Sequence, residues 1–315
     1  MSATSRAETP PHAPEGGWSR RLLGRFHVTG VFWYRFHRWG VSILPDWGVR
    51  LCIALFTAFF FLFLRKIRRA IAANLDVVLG PCGFLERQRR IHATMREFAW
   101  CLSERYERHA TSRQVRIEAE GLENWRAVAG GGRGFILVTA HLGNFEVGSM
   151  LPAERGRHVY VVREREVDPR AQLFVAKMLR RAGGANYTTI FEGDDPLQGM
   201  KLLDALRRGD IVAVQGDRPR SGGRNVETNL FGRPFPLPAG PAALARAAEV
   251  PLLPVFVFRT GRLSYRLAMR PPIEPRLGAG SREAQREIVQ AMAREVEWAI
   301  REAPHQWFCF RAAFE

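Results

Sequence analysis

FILVTAHLGNFE, residues 135–146, contains a strand, a turn and the start of a helix. Residues 135–140 form an apolar run of the kind that builds a buried strand. Gly143 and Asn144 let the backbone turn tightly, and Glu146 opens the next helical stretch, 146–153. His141 therefore stands at a strand's carboxyl end, the edge at which open α/β sheets place ligands. Working outward, similar runs occur at 115–119, 158–163, 187–191, 211–215, 252–258 and 263–269. Helical patterns at 170–182, 196–208, 240–249 and 282–302 separate most of them. The alternation predicts an α/β fold, with a mixed, mostly parallel central sheet flanked by helices.

The 315 residues are 46% hydrophobic, which excludes a chain disordered throughout and leaves room for one large domain or two. Residues 1–17 are rich in Pro, Ala, Ser, Thr and Gly and read as a disordered tail. Residues 18–112 read as a helical, membrane-associating region, and residues 113–315 as the α/β domain. Within the first region, aromatic and basic residues interleave up to Trp39, and an uncharged run, LCIALFTAFFFLFL, fills residues 51–64. Arg50 precedes the run, and Arg65, Lys66, Arg68 and Arg69 follow it. Fourteen helical residues reach only about 21 Å, short of the roughly 30 Å hydrocarbon core. The flanks resemble an interfacial belt. Residues 84–110 carry Ile91, Met95, Phe98, Leu102 and Tyr106 at helical spacing, a packing face.

Lys and Arg number 47 against 31 Asp and Glu, a net charge of +16. Such a charge suits an anionic membrane surface or an acidic protein. Aromatic-basic interleaving also serves single-stranded nucleic acid, but a nucleic-acid groove has no use for the apolar run, and none is expected as a partner. Cys52, Cys82, Cys101 and Cys309 lie far apart, which argues against a disulfide scaffold or a zinc knuckle. The glycine run Gly130, Gly131, Gly132, Gly134 precedes a strand, where phosphate-binding loops follow one. G-x-S-x-G, H-E-x-x-H and P-loop patterns are absent.

A His followed five positions later by an acid occurs at 92/97 and 141/146. With eight histidines and 31 acids, about one such pair is expected by chance. His92 falls mid-helix, where positions five apart point in different directions, and reads as a decoy. Glu146, beyond a tight turn, is placed to receive the Nδ1 proton of His141, leaving Nε2 as a base.

The segment 135–146 resembles the H-x4-D/E block of the bacterial lipid A late acyltransferases, the lauroyl- and myristoyl-transferring members of the glycerolipid acyltransferase superfamily. Later segments agree in order: residues 159–163, the Gln215-Gly216-Asp217-Arg218 block, Asn229-Leu230-Phe231-Gly232-Arg233-Pro234, residues 238–242, and Pro304-His305-Gln306-Trp307-Phe308. The chain departs from the pattern in having Gln-Gly-Asp-Arg where an acid-amide pair is common, and in lacking a closing Trp-x-His.

The resemblance implies transfer of a fatty acyl chain from acyl carrier protein, or acyl-CoA, to a hydroxyl of a lipid or glycolipid, at the cytoplasmic face of a bacterial inner membrane rich in anionic lipids. A lipid A precursor is the expected acceptor; an aminolipid, a phosphatidylinositol mannoside or a lysophospholipid are alternatives. A non-enzymatic alternative is a basic membrane-bound protein that binds lipid or nucleic acid. His141 and Glu146 are the expected catalytic pair, acting directly, with no acyl-enzyme, metal or cofactor. Backbone N–H groups after His141, or an Arg, are expected to face the oxyanion. Arg163 is expected near substrate phosphate. Asp217 and Arg218 are expected either to position the acceptor or to pair with each other. Asn229, Phe231, Gly232 and Pro234 are expected in a loop shaping the acceptor site.

Overall fold

A computed structural model describes residues 39–40, 42–110, 113–145, 157–164, 170, 172–173, 177, 186–191, 197–220, 223–276 and 281–314. The tail at 1–17, the basic-aromatic approach at 18–38, the helix expected at 146–153 with Glu146, and most of 170–182 lie outside the described residues.

Three helices come first: α1 (Asp46–Phe63), α2 (Arg65–Leu79) and α3 (Phe84–Ala110). Then follow β1 (Arg116–Glu120), α4 (Leu122–Ala129), β2 (Phe135–Thr139), β3 (Val159–Arg163), β4 (Tyr187–Phe191), α5 (Gln198–Arg207) and β5 (Ile211–Gln215). The remainder is β6 (Asn225–Leu230), β7 (Arg233–Pro238), α6 (Gly240–Ala248), β8 (Leu252–Gly261), β9 (Ser264–Met269) and α7 (Ser281–Glu302), closed by a 3-10 turn at Pro304–Gln306. Seven strands form one sheet in the order β1-β9-β8-β2-β5-β3-β4. Only the β8–β9 pair is antiparallel, so the sheet is mixed and mostly parallel, as the alternation of strand and helix predicts.

Helices cover the sheet because the central strands are apolar on both faces. Phe135, Ile136 and Val138 of β2 are buried, as are Leu252, Leu253, Val255, Phe256, Val257 and Phe258 of β8. On one side α7 presents Val289, Met292, Ala293, Val296 and Ile300, a stripe at helical period. β2 and β5 lie side by side and parallel, Thr139 opposite Gln215. Two residues beyond each, the same register brings His141 and Asp217 to one sheet edge.

The segment expected to be a loop around residues 229–234 is a β-hairpin. β6 and β7 pair antiparallel, and Phe231 and Gly232 at its tip both have positive φ, 52° and 74°. That is the backbone of a type I′ turn. Three prolines, Pro234, Pro236 and Pro238, disguise β7 as a loop in the sequence. They recur at every second position, so the missing N–H groups all fall on one side of a two-stranded ribbon, where they interrupt no central ladder.

The N-terminal helices are docked on this domain. Gly48, Val49, Ile53 and Thr57 are the buried residues of α1, and that face meets α3. Asn74 of α2 donates to the carbonyls of Cys309 (3.0 Å) and Arg311 (2.8 Å) and accepts from the Ala313 N–H (2.8 Å), holding the C-terminal segment in place.

Candidate active site

His141 begins the turn after β2, and its Nδ1 lies 2.8 Å from Oδ1 of Asp217. Asp217 is fully buried, and its other oxygen accepts from Nε1 of Trp307 at 3.0 Å. A buried carboxylate is costly unless its lone pairs are satisfied. Here one oxygen serves the imidazole and the other the indole. Burial alone would push the Asp217 carboxyl up. The His141 imidazolium and its hydrogen bond, the Arg218 guanidinium and the Trp307 N–H outweigh it and hold the carboxyl well below the usual carboxylate range. An ionised Asp217 puts the imidazole proton on Nδ1 and leaves Nε2 with a lone pair, the form a general base requires.

The turn is fixed from two sides. The C-terminal segment lies antiparallel to it: the Gly143 N–H donates to the Gln306 carbonyl and the Phe308 N–H to the His141 carbonyl, both at 2.9 Å. Gly143 has φ +55°, and a Cβ there would stand 2.0 Å from the Val257 carbonyl oxygen. Only glycine fits so close an approach in that conformation. Its N–H is committed to Gln306 and is thereby removed from the backbone donors expected to face an oxyanion.

Behind the turn lies a buried polar chain. The Asn144 amide donates to Tyr265 Oη (3.2 Å), and Tyr265 Oη donates to Glu104 of α3 (2.6 Å). Arg259 Nε donates to the other Glu104 oxygen at 2.8 Å. Arg259 also exchanges backbone bonds with the Gln306 amide, its N–H donating and its carbonyl accepting, each at 2.8 Å. Burial raises the Glu104 carboxyl, and the Arg259 charge with the Tyr265 and Arg259 hydrogen bonds only partly offsets it, leaving a net upward shift.

The other expected site residues are dispersed. Arg218 borders the pair, with Nε 3.8 Å from Asp217 and Nη2 donating to the Phe308 carbonyl. That Nε makes no hydrogen bond among the described residues. Asp217 was expected to position an acceptor or to pair with Arg218. It does pair with Arg218, at 3.8 Å, but its closer partners are His141 and Trp307. The Nδ1 position assigned to Glu146 faces Asp217, and Glu146 itself lies outside the described residues. Arg163 ends β3, separated from β2 by β5.

The hairpin residues are anchored on α7. Gln290 brackets the Asn229 backbone, and Glu297 accepts from the Phe231 N–H at 2.7 Å. Gly232 and Pro234 are exposed. Phe314 links the hairpin to the Trp307 side of the site, its ring meeting those of Phe231, Phe235 and Trp307. His92 is exposed on α3 against Phe61 and joins no acid among the described residues, as its mid-helix place predicts. Among the described residues no group of three or more His, Cys, Asp and Glu is gathered as metal ligands.

Tyr265 and Glu104 have no assigned part in the sequence reading, Asn144 only that of a turn residue, and Trp307 only its place in the closing segment. A signal for Asp217 and His141 as partners was present, since each follows its strand by two residues.

With this geometry in place, comparison with known proteins is specific. Residues 17–315 match the family described as bacterial lipid A biosynthesis acyltransferase. The chain also aligns over 154 residues, at 29% identity, with the phosphatidylinositol mannoside acyltransferase of Mycobacterium tuberculosis strains CDC 1551 / Oshkosh and ATCC 25618 / H37Rv. Each alignment covers 48% of this chain and 47% of the relative, so the chain spans about half the length of the curated relatives it matches. The family match runs through both halves of the sheet, the His141 turn and the closing Trp307 segment, and on it the chain belongs to the bacterial lipid A biosynthesis acyltransferase family.

Proposed function

We propose that the protein transfers a fatty acyl chain from a thioester donor to a hydroxyl of a membrane lipid or glycolipid, with His141 as general base. The observation that carries this reading is the buried Asp217 carboxylate 2.8 Å from His141 Nδ1 at the carboxyl edge of the sheet. Nε2 takes the proton of the acceptor hydroxyl as its oxygen attacks the thioester carbonyl. The developing imidazolium is stabilised by Asp217, whose own position is held by Trp307. Collapse of the tetrahedral intermediate expels the thiolate, which takes the proton from the imidazolium. Free donor thiol and an ester leave, and the enzyme is regenerated without an acyl-enzyme.

Arg218 borders this pair, its side chain partly exposed, and is the cation we assign to a developing oxyanion or an acceptor phosphate. In this reading Asp217 orients His141, and Glu146 contributes from the next segment. Acyl carrier protein, being acidic, suits the +16 chain as donor. Family membership supports a lipid or glycolipid acceptor, and within it we assign a lipid A precursor met at the cytoplasmic face of the inner membrane. The half-chain likeness to a phosphatidylinositol mannoside acyltransferase favours a mannosylated inositol lipid as the second reading.

The test is purified full-length protein supplied with acyl carrier protein thioester or acyl-CoA and each acceptor in turn, the products read by mass spectrometry. Ester formation that is lost in His141→Ala supports the proposal. A folded His141→Ala variant turning over at the wild-type rate overturns it.

A further inference from the structure

α1 has two faces with opposite partners. Val49, Ile53 and Thr57, one turn apart in succession, are buried against α3. Trp47, Leu51, Leu55 and Phe59 form a parallel row displaced by two residues, about 200° around the helix. These four are between 51% and 70% exposed. Leu62 and Phe63 continue the row at 65% and 68%. An apolar stripe thus runs the whole length of α1, about 27 Å, on the side turned away from the domain.

One end of α1 is tied to that domain and the other meets α3. Asp46 pairs with Arg113 (2.7 Å) and with Arg262 (2.9 Å) in the β8–β9 turn. Near the other end the Phe61 ring meets His92 of α3 edge-on. α1 therefore lies antiparallel along α3, and between those ends α3 carries Glu97, Glu104 and Glu107, paired with Arg259 and Arg262. A helix crossing a bilayer has water-soluble structure at its ends and lipid or other spans around its sides. Here a charged helix, α3, accompanies it from end to end, and passage through the hydrocarbon would take the ion pairs of α3 with it.

We infer that α1 lies in the plane of one leaflet, its Trp47–Leu51–Leu55–Phe59 row sunk at the boundary of headgroups and acyl chains, and does not span the membrane. The occupant of this face is an anionic lipid surface. Arg65, Lys66 and Arg69, exposed immediately after the apolar row, supply the complementary charge at headgroup level. Exposed Phe84 and Leu85 at the start of α3 add apolar surface to the same helical region. The inference deepens the membrane-lipid part of the proposed function and rests on it. Placing the domain flat against the leaflet lets an acceptor stay embedded while its hydroxyl is acylated.

The experiment measures depth and needs no turnover. In a Cys52→Ser/Cys82→Ser background, Trp47→Cys, Leu55→Cys and Leu62→Cys are each labelled with an environment-sensitive fluorophore. The full-length protein is added to preformed phosphatidylcholine:phosphatidylglycerol 3:1 vesicles brominated near the headgroup or near the chain ends. An in-plane helix gives equal quenching at all three sites, stronger from the shallow bromines. A profile with position 55 deepest and the two ends shallow overturns the inference, as does absence of quenching at every site. Leu55→Asp/Phe59→Asp, both on the exposed row, should weaken vesicle partitioning at least tenfold while leaving the circular dichroism unchanged. Unchanged partitioning would also count against it. Acyl transfer assayed on the same vesicles separates the two claims: equal shallow quenching without transfer leaves the docking standing and removes the enzymatic reading, whereas transfer with a spanning profile does the reverse.

Discussion

His141, Asp217 and Trp307 form a chain of three side chains separated by 76 and 90 residues of sequence. Asp217→Asn keeps the shape but makes one of the two acceptor positions a donor and removes the charge that in the proposed mechanism stabilises the imidazolium. Transfer should fall about 10²–10⁴-fold, the range general-base assistance supplies. Trp307→Phe leaves a buried carboxylate oxygen unsatisfied, a cost of about 1–3 kcal/mol in stability, and should reduce transfer less than Asp217→Asn does. Glu146→Gln, measured beside them, ranks the two acids: if Asp217 orients the base, its replacement costs more. A larger loss at Glu146 would return the orienting role to the H-x4-E spacing. Acid titration gives an independent reading. Asp217 has a folded pKa below its ordinary value near 3.8, so its contribution to stability is complete above that pH and is lost as pH falls through the lowered value. Wild-type stability should therefore decline with acid up to about 1.4 kcal/mol per pH unit more steeply than that of Asp217→Asn below pH about 4, as followed by urea titration. His141 was legible as a residue because its own strand and turn mark it. The sequence assigns the Nδ1 partner to Glu146, whereas Asp217 stands there in the fold, because that pairing depends on β2 and β5 being neighbours, which no local pattern states.

Elements divide in a similar way. The seven strands of the main sheet were legible because apolar β-rich runs alternate with helical ones, and burial of both faces demands that composition. The β6–β7 hairpin was not, since its turn is Phe231–Gly232 in place of the usual Asn–Gly, and its second strand contains three prolines. Glycine substitutions separate the hairpin tip from the active-site turn. Gly232→Ala, with φ +74° but open space around the new methyl, should cost only the backbone term, about 1–2 kcal/mol. Gly143→Ala adds a methyl 2.0 Å from the Val257 carbonyl oxygen on top of the same backbone strain. It should cost visibly more in urea unfolding and should remove activity by displacing His141. Equal costs at the two positions would show that the turn relaxes freely. α3 also departs from its sequence reading: the apolar face was expected, and Ile91 and Met95 are buried on it. Glu104 and Glu107 are buried too, because Arg259 and Arg262 reach them from β8 and the turn beyond it.

At the scale of the molecule, the apolar run at 51–64 was visible in composition, whereas its orientation came only from seeing which side of α1 meets α3. The long closing segment has a comparable role at the opposite end of the chain. Ending the chain after residue 303 removes Gln306, Trp307 and Phe308, and with them the bonds to Gly143, Asp217 and His141. Such a truncation should abolish transfer, and amide hydrogen exchange around 141–144 should rise sharply while α7 stays protected. Intact protection of 141–144 in the truncated protein would show the turn to be self-supporting. The pairing of Leu142 with Trp307 also has a temporal consequence. A growing polypeptide exposes α1 to its surroundings long before residue 307 leaves the ribosome, so the protein can settle on lipid while still unable to bind its base in a working position. If α1 docks on lipid as proposed above, synthesis would act as a delay, with the His141 turn completed only after the N-terminal helices have met that surface.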